Sequence, residues 1–425
     1  MVARRILVVG NGGREHALAW HLTRSPNVTA VFCCPGNGGT ATLKNCQNLD
    51  IKVDDFVGIA KAVRDDRIDL VVVGPEVPLS LGITDYLSRE NIPVFGPDKA
   101  GAQIEASKSW AKEIMVAAGV PTAKSATFTD AAAAKEYIRQ EGAPIVVKAD
   151  ALAAGKGVIV ATTLDEALEA ADNLFGQGFT TLVVEEFLVG EEVSILALTD
   201  GKTIVPLLPA QDHKRIGEGD TGNNTGGMGV YAPAPVCTPE ILSIVETDVL
   251  KKTIEELRQR GIDYRGILYA GLMVSPTGEV KVLEFNCRFG DPETQAVMAL
   301  LETPSDELLM ACVEGKLEAQ LPLKWHEGSA VCVVVAAGGY PEAYEKGKTI
   351  EGIDMAEANN AVVFHAGTKS VDGKILSDGG RVLGVTAIGA NFDEAIAKVY
   401  PAVSKISFEG MYYRRDIGHR VKGKR

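Results

Sequence analysis

Short apolar runs alternate with stretches of helical spacing along the first hundred positions. Ile6–Val9 is continuously apolar and ends in glycines, and a helical pattern follows from Glu15 to Leu22. Val28–Cys33, Asp69–Val73 and Ile92–Phe95 repeat the apolar run, ended by Pro35-Gly36-Asn37-Gly38-Gly39, Gly74-Pro75-Glu76 and Gly96-Pro97. Apolar strands between helices predict a parallel sheet covered on both faces. In such sheets the loops after strand C-termini face the ligand, and these are the loops that hold the glycines. The spacing of Trp110, Ile114, Met115 and Ala118 predicts a helix over Ser107 to Ala118, stopped by Gly119 and Pro121. The pattern then changes to a compact α+β segment, Thr122 to Glu186, with strands at Ile145–Lys148 and Val158–Ala161 joined by a glycine-containing loop. The stretch to Trp325 carries the polar run Gln211–Gly229 and a strand at Val280–Asn286. From His326 the pattern gives valine-rich strands, Val331–Val335 and Val382–Thr386, and few candidate catalytic groups.

Length and charge narrow this picture. A chain of 425 residues is too long for a single core, which typically stops growing near ~250–300 residues, so a mixed α/β and α+β multidomain protein is predicted. A formal net charge of −13 argues against non-specific binding to nucleic acid or an anionic membrane. Lysines and arginines within the glycine-rich motifs therefore gain weight as phosphate partners. The seven cysteines show no CxxC pair and no zinc spacing, which reads as reduced thiols in a cytoplasmic protein. The N-terminus lacks the long apolar region of a signal peptide, and no apolar run approaches the ~18 residues of a membrane span.

Gly10-Asn11-Gly12-Gly13-Arg14-Glu15 opens a helix directly after a strand, where free N–H groups and the helix dipole favour phosphate. It holds only the first two glycines of a dinucleotide fingerprint, and Cys33-Cys34-Pro35 ends the second strand without the acid that would hold a ribose diol. A dehydrogenase fits poorly, a phosphate-bearing substrate fits better, and a tight turn without ligand stays open. KADALAAGKGV (148–158) is not a Walker A loop, because Asp150 stands where that motif has glycine and Gly157 replaces the metal-binding Ser or Thr. Its flanking strands predict a hairpin flap whose backbone N–H groups close on a polyphosphate, with Lys148 and Lys156 neutralising charge. An exposed flexible hairpin is the alternative.

Leu182–Glu186 runs into Glu185-Glu186-Phe187-Leu188, which suits an adenine edge and a ribose but also an ordinary solvated acidic turn. Along the strand that continues into Cys287-Arg288-Phe289-Gly290-Asp291-Pro292-Glu293, Glu284, Asn286 and Arg288 would share one face. A carboxylate and an amide oxygen suit a hard metal ion, and a guanidinium suits a phosphoryl group or a substrate carboxylate. An edge strand with a surface ion pair is the plainer alternative. Gln211-Asp212-His213-Lys214-Arg215 and Thr221–Gly229 form one long glycine-rich stretch, either an anion-binding loop or a flexible one. His213 by itself is a weak catalytic candidate.

These segments together resemble the glycinamide ribonucleotide synthetase family of the ATP-grasp superfamily. GNGGREHA (10–17), PGNGGT (35–40), GPE (74–76), KADALAAGKGV (148–158), EEFLVGEEVS (185–194), QDHKR (211–215), NTGGMG (224–229) and LEFNCRFGDPETQ (283–295) occur in the family's order. AAGGYP (336–341), HAGTK (365–369) and GGRVL (379–383) extend the resemblance over essentially the whole chain. It implies a parallel-sheet pre-ATP-grasp domain (1–101), a larger ATP-grasp subdomain (102–121 and 187–325), a smaller flap subdomain (122–186) and a small β-rich C-terminal domain (326–425). It also implies that ATP joins glycine to 5-phosphoribosylamine, with release of ADP and phosphate.

On that resemblance Mg2+ or Mn2+ would sit on Glu284 and Asn286. ATP would meet Lys108, Lys148, Gly155, Lys156, Glu185, Glu186, Phe187, Leu188, Glu192, Arg215 and Asn224. Asp212, Lys214 and Arg288 would act in catalysis and, with Asp291, hold glycine. Phosphoribosylamine would lie near Gly12, Gly13, Arg14, Glu15, Gly36, Asn37, Gly39, Thr40, Pro75 and Glu76. The partners would be these small molecules, with neither nucleic acid nor membrane, in a monomer or homodimer.

The family usually has glycine where Ala151 stands and proline where Asn223 stands. ATP-grasp enzymes more widely often place a second metal carboxylate on the preceding strand, where Ala270-Gly271-Leu272-Met273-Val274 offers none. The rival readings are another ATP-grasp carboxylate–amine ligase and a nucleotide sensor without turnover. A sensor would be expected to lack a metal or phosphate ligand, yet Glu284, Asn286, Arg288, Lys148 and Lys156 are all present.

Overall fold

The computed structural model describes residues 3–152 and 157–422. The four apolar runs, joined at one edge by the short strand Cys46–Asn48, form a five-stranded parallel sheet in the order Cys46–Asn48, Val28–Pro35, Arg4–Gly10, Leu70–Val73, Val94–Phe95. The two-residue period of a strand explains why these runs lack polar positions. Leu7, Val9, Val71 and Val73 enter one core while Ile6, Val8, Leu70 and Val72 enter another, so neither face meets water.

The central antiparallel sheet runs Ile204–Pro206, Glu191–Asp200, Arg265–Val274, Val280–Asn286. It shares both cores with the N-terminal sheet: Val193, Leu268 and Val282 lie in the first, Leu196 and Tyr269 in the second. These two sheets therefore make one platform. The segment between them is built differently. Ser125–Phe128, Leu182–Glu186, Ile145–Ala149 and Val158–Ala161 form a four-stranded antiparallel sheet, with helices Ala131–Glu141 and Leu164–Gly176 packed on it. Its apolar residues, among them Ile138, Val147, Leu174 and Val184, make a cluster of their own. Each such burial stabilises by roughly 1.5–3 kcal/mol, and the unit has a core separate from those of the platform.

The fourth sheet runs Gln211–Asp212, Gly229–Ala232, Ser329–Ala336, Arg381–Gly389, Ala361–His365, with helix Phe392–Val403 covering one face. It crosses the boundary expected near 325, because strands from 211–232 pair with strands beyond 329. The polar run read as one long loop is largely paired. Arg215–Gly217 and Thr221–Asn224 form a two-stranded hairpin between the two strands that join this sheet. The tail of the chain crosses back over that hairpin.

Candidate active site

Strand Val280–Asn286 does not alternate regularly. Gly271 faces Glu284 while Leu272 faces Val282, which leaves Leu283 as a bulge. Val280, Val282 and Phe285 enter the core, and the Leu283 carbonyl accepts from Lys148 Nζ at 3.1 Å. Arg288 lies beyond the strand end, so strand alternation does not aim it. It reaches back instead, donating from Nη2 to Asn286 Oδ1 at 3.2 Å. Its guanidinium also lies 2.9 Å from Glu105 and 3.3 Å from Glu76. Burial opposes its charge, but Glu105 and Glu76 outweigh that and raise its pKa. Arg288 is thus fixed by two carboxylates from the N-terminal part, rather than free to swing onto a ligand.

Glu284 is the point where the segments converge. Burial alone would raise its pKa, but Lys214, Lys148, Lys108 and Arg288 together hold it below the ordinary value, so the carboxylate stays ionised. These four cations come from the polar hairpin segment, the flap, the helix Lys108–Ala118 and the strand's own continuation. Lys148 Nζ lies 2.9 Å from Glu185 Oε2, and Lys112 Nζ lies 3.4 Å from Glu185 Oε1. Both oxygens of buried Glu185 are engaged by lysines, so it orients Lys148 rather than presenting a free carboxylate to a ribose.

Lys108 donates to the Ala151 carbonyl at 2.8 Å. Asp150 accepts from the Ser109 N–H at 3.2 Å and from its hydroxyl, tying the flap to that helix. Glu186 is bound to Lys281 at 2.8 Å and to the Lys124 N–H at 3.0 Å. Phe187 is exposed and Leu188 half-buried. Gly155 and Lys156 lie outside the described residues.

Asp212 and Lys214 flank buried His213. Lys214 donates to Glu192 Oε2 at 2.6 Å. Burial pushes the Asp212 carboxyl up to about 7, with Lys214 opposing and Glu293 and Glu192 adding repulsion. Glu293 accepts from Tyr269 OH and Ser194 Oγ, each at 3.0 Å. Burial pushes His213 down to about 3, so it is neutral and is no acid or base near neutral pH. Arg215 and Asn224 face each other across the hairpin, both exposed. Asn223, at the position usually proline, donates to Glu342 Oε1 at 2.6 Å.

A concavity of about 270 Å³ lies between the N-terminal glycines and the last sheet. Its lining includes Asn11, Gly12, Asp291, Thr368, Tyr340 and Arg381. Arg381 lies 3.3 Å from Asp291 Oδ1 and donates to the Asp291 and Gly226 carbonyls. Burial would raise Asp291, but Arg381 and Arg14 hold it low. Arg14 Nη1 and Arg288 Nη1 both donate to the Phe289 carbonyl, at 3.1 and 3.2 Å, which joins this concavity to the Glu284 region.

Several N-terminal candidates are occupied structurally. Glu15 accepts from the Gly12 N–H at 2.6 Å, capping the start of its own helix, and pairs with Arg14. A Cβ on Gly13 would lie 2.6 Å from Gln295 Nε2, and one on Gly39 would lie 2.4 Å from the His16 ring. Asn37 spans the Asn11 and His365 carbonyls at 2.9 and 2.8 Å, and its Oδ1 accepts from the N–H groups of Gly39 and Thr40. Gly36 takes φ +69° and Thr40 is fully buried, so this turn braces the concavity without lining it. Pro75 precedes the short helix that begins at Glu76. Lys112 and Glu105 were missed from sequence. Lys112 follows Lys108 by four residues, the spacing that puts both on one helix face. Glu105 carries no such signal. The segment after 326, expected to offer few functional groups, supplies Arg381, Thr368 and Tyr340.

Among the described residues no three His, Cys, Asp or Glu side chains gather as a metal site. Glu284 and Asn286 nevertheless fit an ion of the magnesium type, which is usually held by one or two protein oxygens together with phosphate oxygens. Glu284 is kept anionic, and the cations around it complement a polyphosphate.

Three family models match in succession: the N domain of phosphoribosylglycinamide synthetase over residues 4–105, its ATP-grasp (A) domain over 106–294 and its C domain over 330–420. The chain is 61% identical over 422 residues to a phosphoribosylamine–glycine ligase of Nostoc sp., covering 98% of this chain and 99% of that one. It is 62% identical to the Synechocystis sp. protein of the same name, covering 98% and 100%. The crystal structure of phosphoribosylamine–glycine ligase from Thermotoga maritima superposes with a TM-score of 0.83 at 34% identity, covering 97% of this chain and all of that one. The biotin carboxylase domain of a Hydrogenobacter thermophilus 2-oxoglutarate carboxylase shares the fold at a TM-score of 0.73 and 15% identity, over 99% and 98% of the two chains.

Proposed function

The chain belongs to the phosphoribosylglycinamide synthetase family, and on that premise we propose that it works through a glycyl phosphate intermediate formed beside Glu284. The protein is an ATP-dependent ligase that joins glycine to 5-phosphoribosylamine, giving glycinamide ribonucleotide, ADP and phosphate for purine biosynthesis. It uses ATP with a divalent metal; magnesium or manganese is our reading of which. The gathering of Lys108, Lys148, Lys214 and Arg288 around Glu284, with Lys148 donating to the adjacent Leu283 carbonyl at 3.1 Å and Arg288 to Asn286 Oδ1 at 3.2 Å, carries the site assignment.

A carboxylate is a poor electrophile, so glycine must first be activated. Its oxygen attacks the γ-phosphorus of ATP, ADP leaves, and glycyl phosphate forms. The amine of phosphoribosylamine then attacks the acyl carbon, the C–O bond to phosphate breaks, and the nitrogen loses a proton. Catalysis in phosphoryl transfer is mainly positioning and charge stabilisation. Lys148, oriented by Glu185, and Lys108, tied to the flap, neutralise the phosphates. Lys214 holds the glycine carboxylate, and Asp212, once deprotonated, its ammonium group. A metal on Glu284 and Asn286 would supply further charge neutralisation on the phosphate oxygens. Phosphoribosylamine occupies the concavity at Gly12, Asp291 and Arg381, close enough to Arg288 for the two half-reactions to share one space. The flap keeps water from the acyl phosphate. Cytoplasmic location, small-molecule partners and a monomer or homodimer complete the reading.

Glycine labelled with heavy oxygen in its carboxyl group tests this directly. One label per turnover should appear in released phosphate, with ADP as the nucleotide product. Unlabelled phosphate, or AMP with pyrophosphate, would refute it. ADP release with glycine but not with a panel of other amino acids separates this activity from that of a related carboxylate–amine ligase.

A further inference from the structure

The segment 211–215 carries Asp212 and Lys214 towards the Glu284 region and turns His213 the other way, as extended backbone requires. What His213 meets there is the end of the chain. The Gly418 N–H points at His213 Nε2, 3.4 Å away, and the rings of His419 and Tyr231 stack edgewise at 5.5 and 5.7 Å. Arg420 donates to the Asp212 carbonyl at 3.3 Å and to Asp220.

Arg414 is fully buried. It donates to the Arg215 carbonyl at 3.0 Å and to Asp220 Oδ1 at 2.9 Å, and is held bidentately by Asp416 at 2.8 Å on each arm. Tyr412 OH donates to the Ile216 carbonyl at 2.8 Å, and Asp416 accepts from the Gly219 N–H at 2.8 Å. Four backbone groups of 212–219 are thus satisfied by side chains from 412–420, nearly two hundred positions away. A surface hairpin with solvated carbonyls would need none of them.

We propose that residues 412–421 form a strap that sets the register of the Asp212–Lys214 segment, with Arg420 and Arg414 as positioning residues for the ligase reaction. The proposal rests on the reading of Asp212 and Lys214 as active-site groups. Burying a guanidinium is costly unless every arm is paired, so Arg414 accepts only one arrangement of the hairpin. Slippage by one residue would turn His213 into the site and carry Asp212 and Lys214 out of it.

The test compares Arg420→Met, Arg420→Lys and Arg414→Lys in the full-length protein, with KM measured for each substrate. Arg420 is partly exposed, so its replacement is the variant expected to fold. Displacing a reacting group by about 1 Å costs up to ~100-fold, so Arg420→Met should lower kcat at least ~10-fold. KM for ATP and glycine should rise, whereas KM for phosphoribosylamine, bound at the concavity of Gly12, Asp291 and Arg381, should stay within about two-fold. Far-ultraviolet circular dichroism should be unchanged, amide exchange should quicken within 211–224, and Arg420→Lys should recover part of kcat. A folded Arg420→Met protein with kcat and every KM within about two-fold of wild type would overturn the proposal. So would a loss that moves all three KM values together with the circular dichroism, and so would an Arg420→Lys protein no better than the Met variant. Asp212→Asn serves as the control. If that variant turns over normally, the site reading itself is wrong; if it fails while Arg420→Met does not, only the strap is refuted.

Discussion

Replacing Asp212 with asparagine should make the protein more stable and less active, with a stability gain that depends on pH. Burial pushes this carboxyl from its ordinary 3.8 up to about 7, with Lys214 and Arg420 opposing the shift and Glu293 and Glu192 reinforcing it. Between those values the folded chain keeps a proton that the unfolded chain has released. The stability contributed by Asp212 is therefore full below about 3.8 and lost as pH rises through about 7. At about 1.36 kcal/mol per pH unit, the ionised buried carboxylate costs on the order of 4 kcal/mol above pH 7. Relaxation and water entry reduce such costs, so a gain of about 2–4 kcal/mol is expected for the isosteric, uncharged Asn. Urea unfolding of both proteins at about pH 4.5, 6 and 8 measures it, since the linkage predicts a difference that is small at the lowest pH and flat again above about 7. Turnover should fall at least ~10-fold through loss of one preorganised charge. A stability difference independent of pH, or one that favours wild type at pH 8, would refute the reasoning.

Three further outcomes follow from the same geometry. Glu284→Gln should lower turnover at least ~100-fold while the protein still folds, because it removes the anion on which four cations converge; near wild-type turnover at limiting magnesium would show Glu284 to be structural. Lys112 is pushed down to about 8 by burial, with Glu185 opposing and Lys148 reinforcing, so its charge destabilises the fold below about pH 8 and ceases to do so as pH rises towards 10.5. The advantage of Lys112→Met over wild type in urea unfolding should therefore shrink by up to about 3 kcal/mol between pH 7 and 10.5, and a constant gap would contradict it. Ala151 is absent from the positive-φ positions among the described residues, so Ala151→Gly should relieve no strain and only loosen the flap. ATP binding should weaken a few-fold and protease nicking between Lys148 and Val158 should quicken without ATP; tighter binding with slower nicking would reverse that view.

Local pattern was enough wherever an element's own neighbours decide its form. The apolar runs at Ile6–Val9 and Leu70–Val73 read as doubly buried parallel strands because both side-chain rows of each strand lacked polar positions, and the two rows do enter different cores. The helix over Lys108–Ala118 was marked by its apolar spacing and by Gly119, which takes φ +64° at its end. The flap strands were legible because Ile145–Ala149 and Val158–Ala161 are close in sequence and pair directly. The motif strings were enough to name the residues that gather at Glu284. They were not enough to say what each one touches. The bulge at Leu283, the clamping of Arg288 by Glu76 and Glu105, the sharing of Glu185 between Lys112 and Lys148, and the strap over His213 all join segments far apart in the chain. A charge at a given spacing fixes which face of its own element it occupies. Its partner is fixed only when packing brings another element within about 3–4 Å, where a desolvated charge must find one.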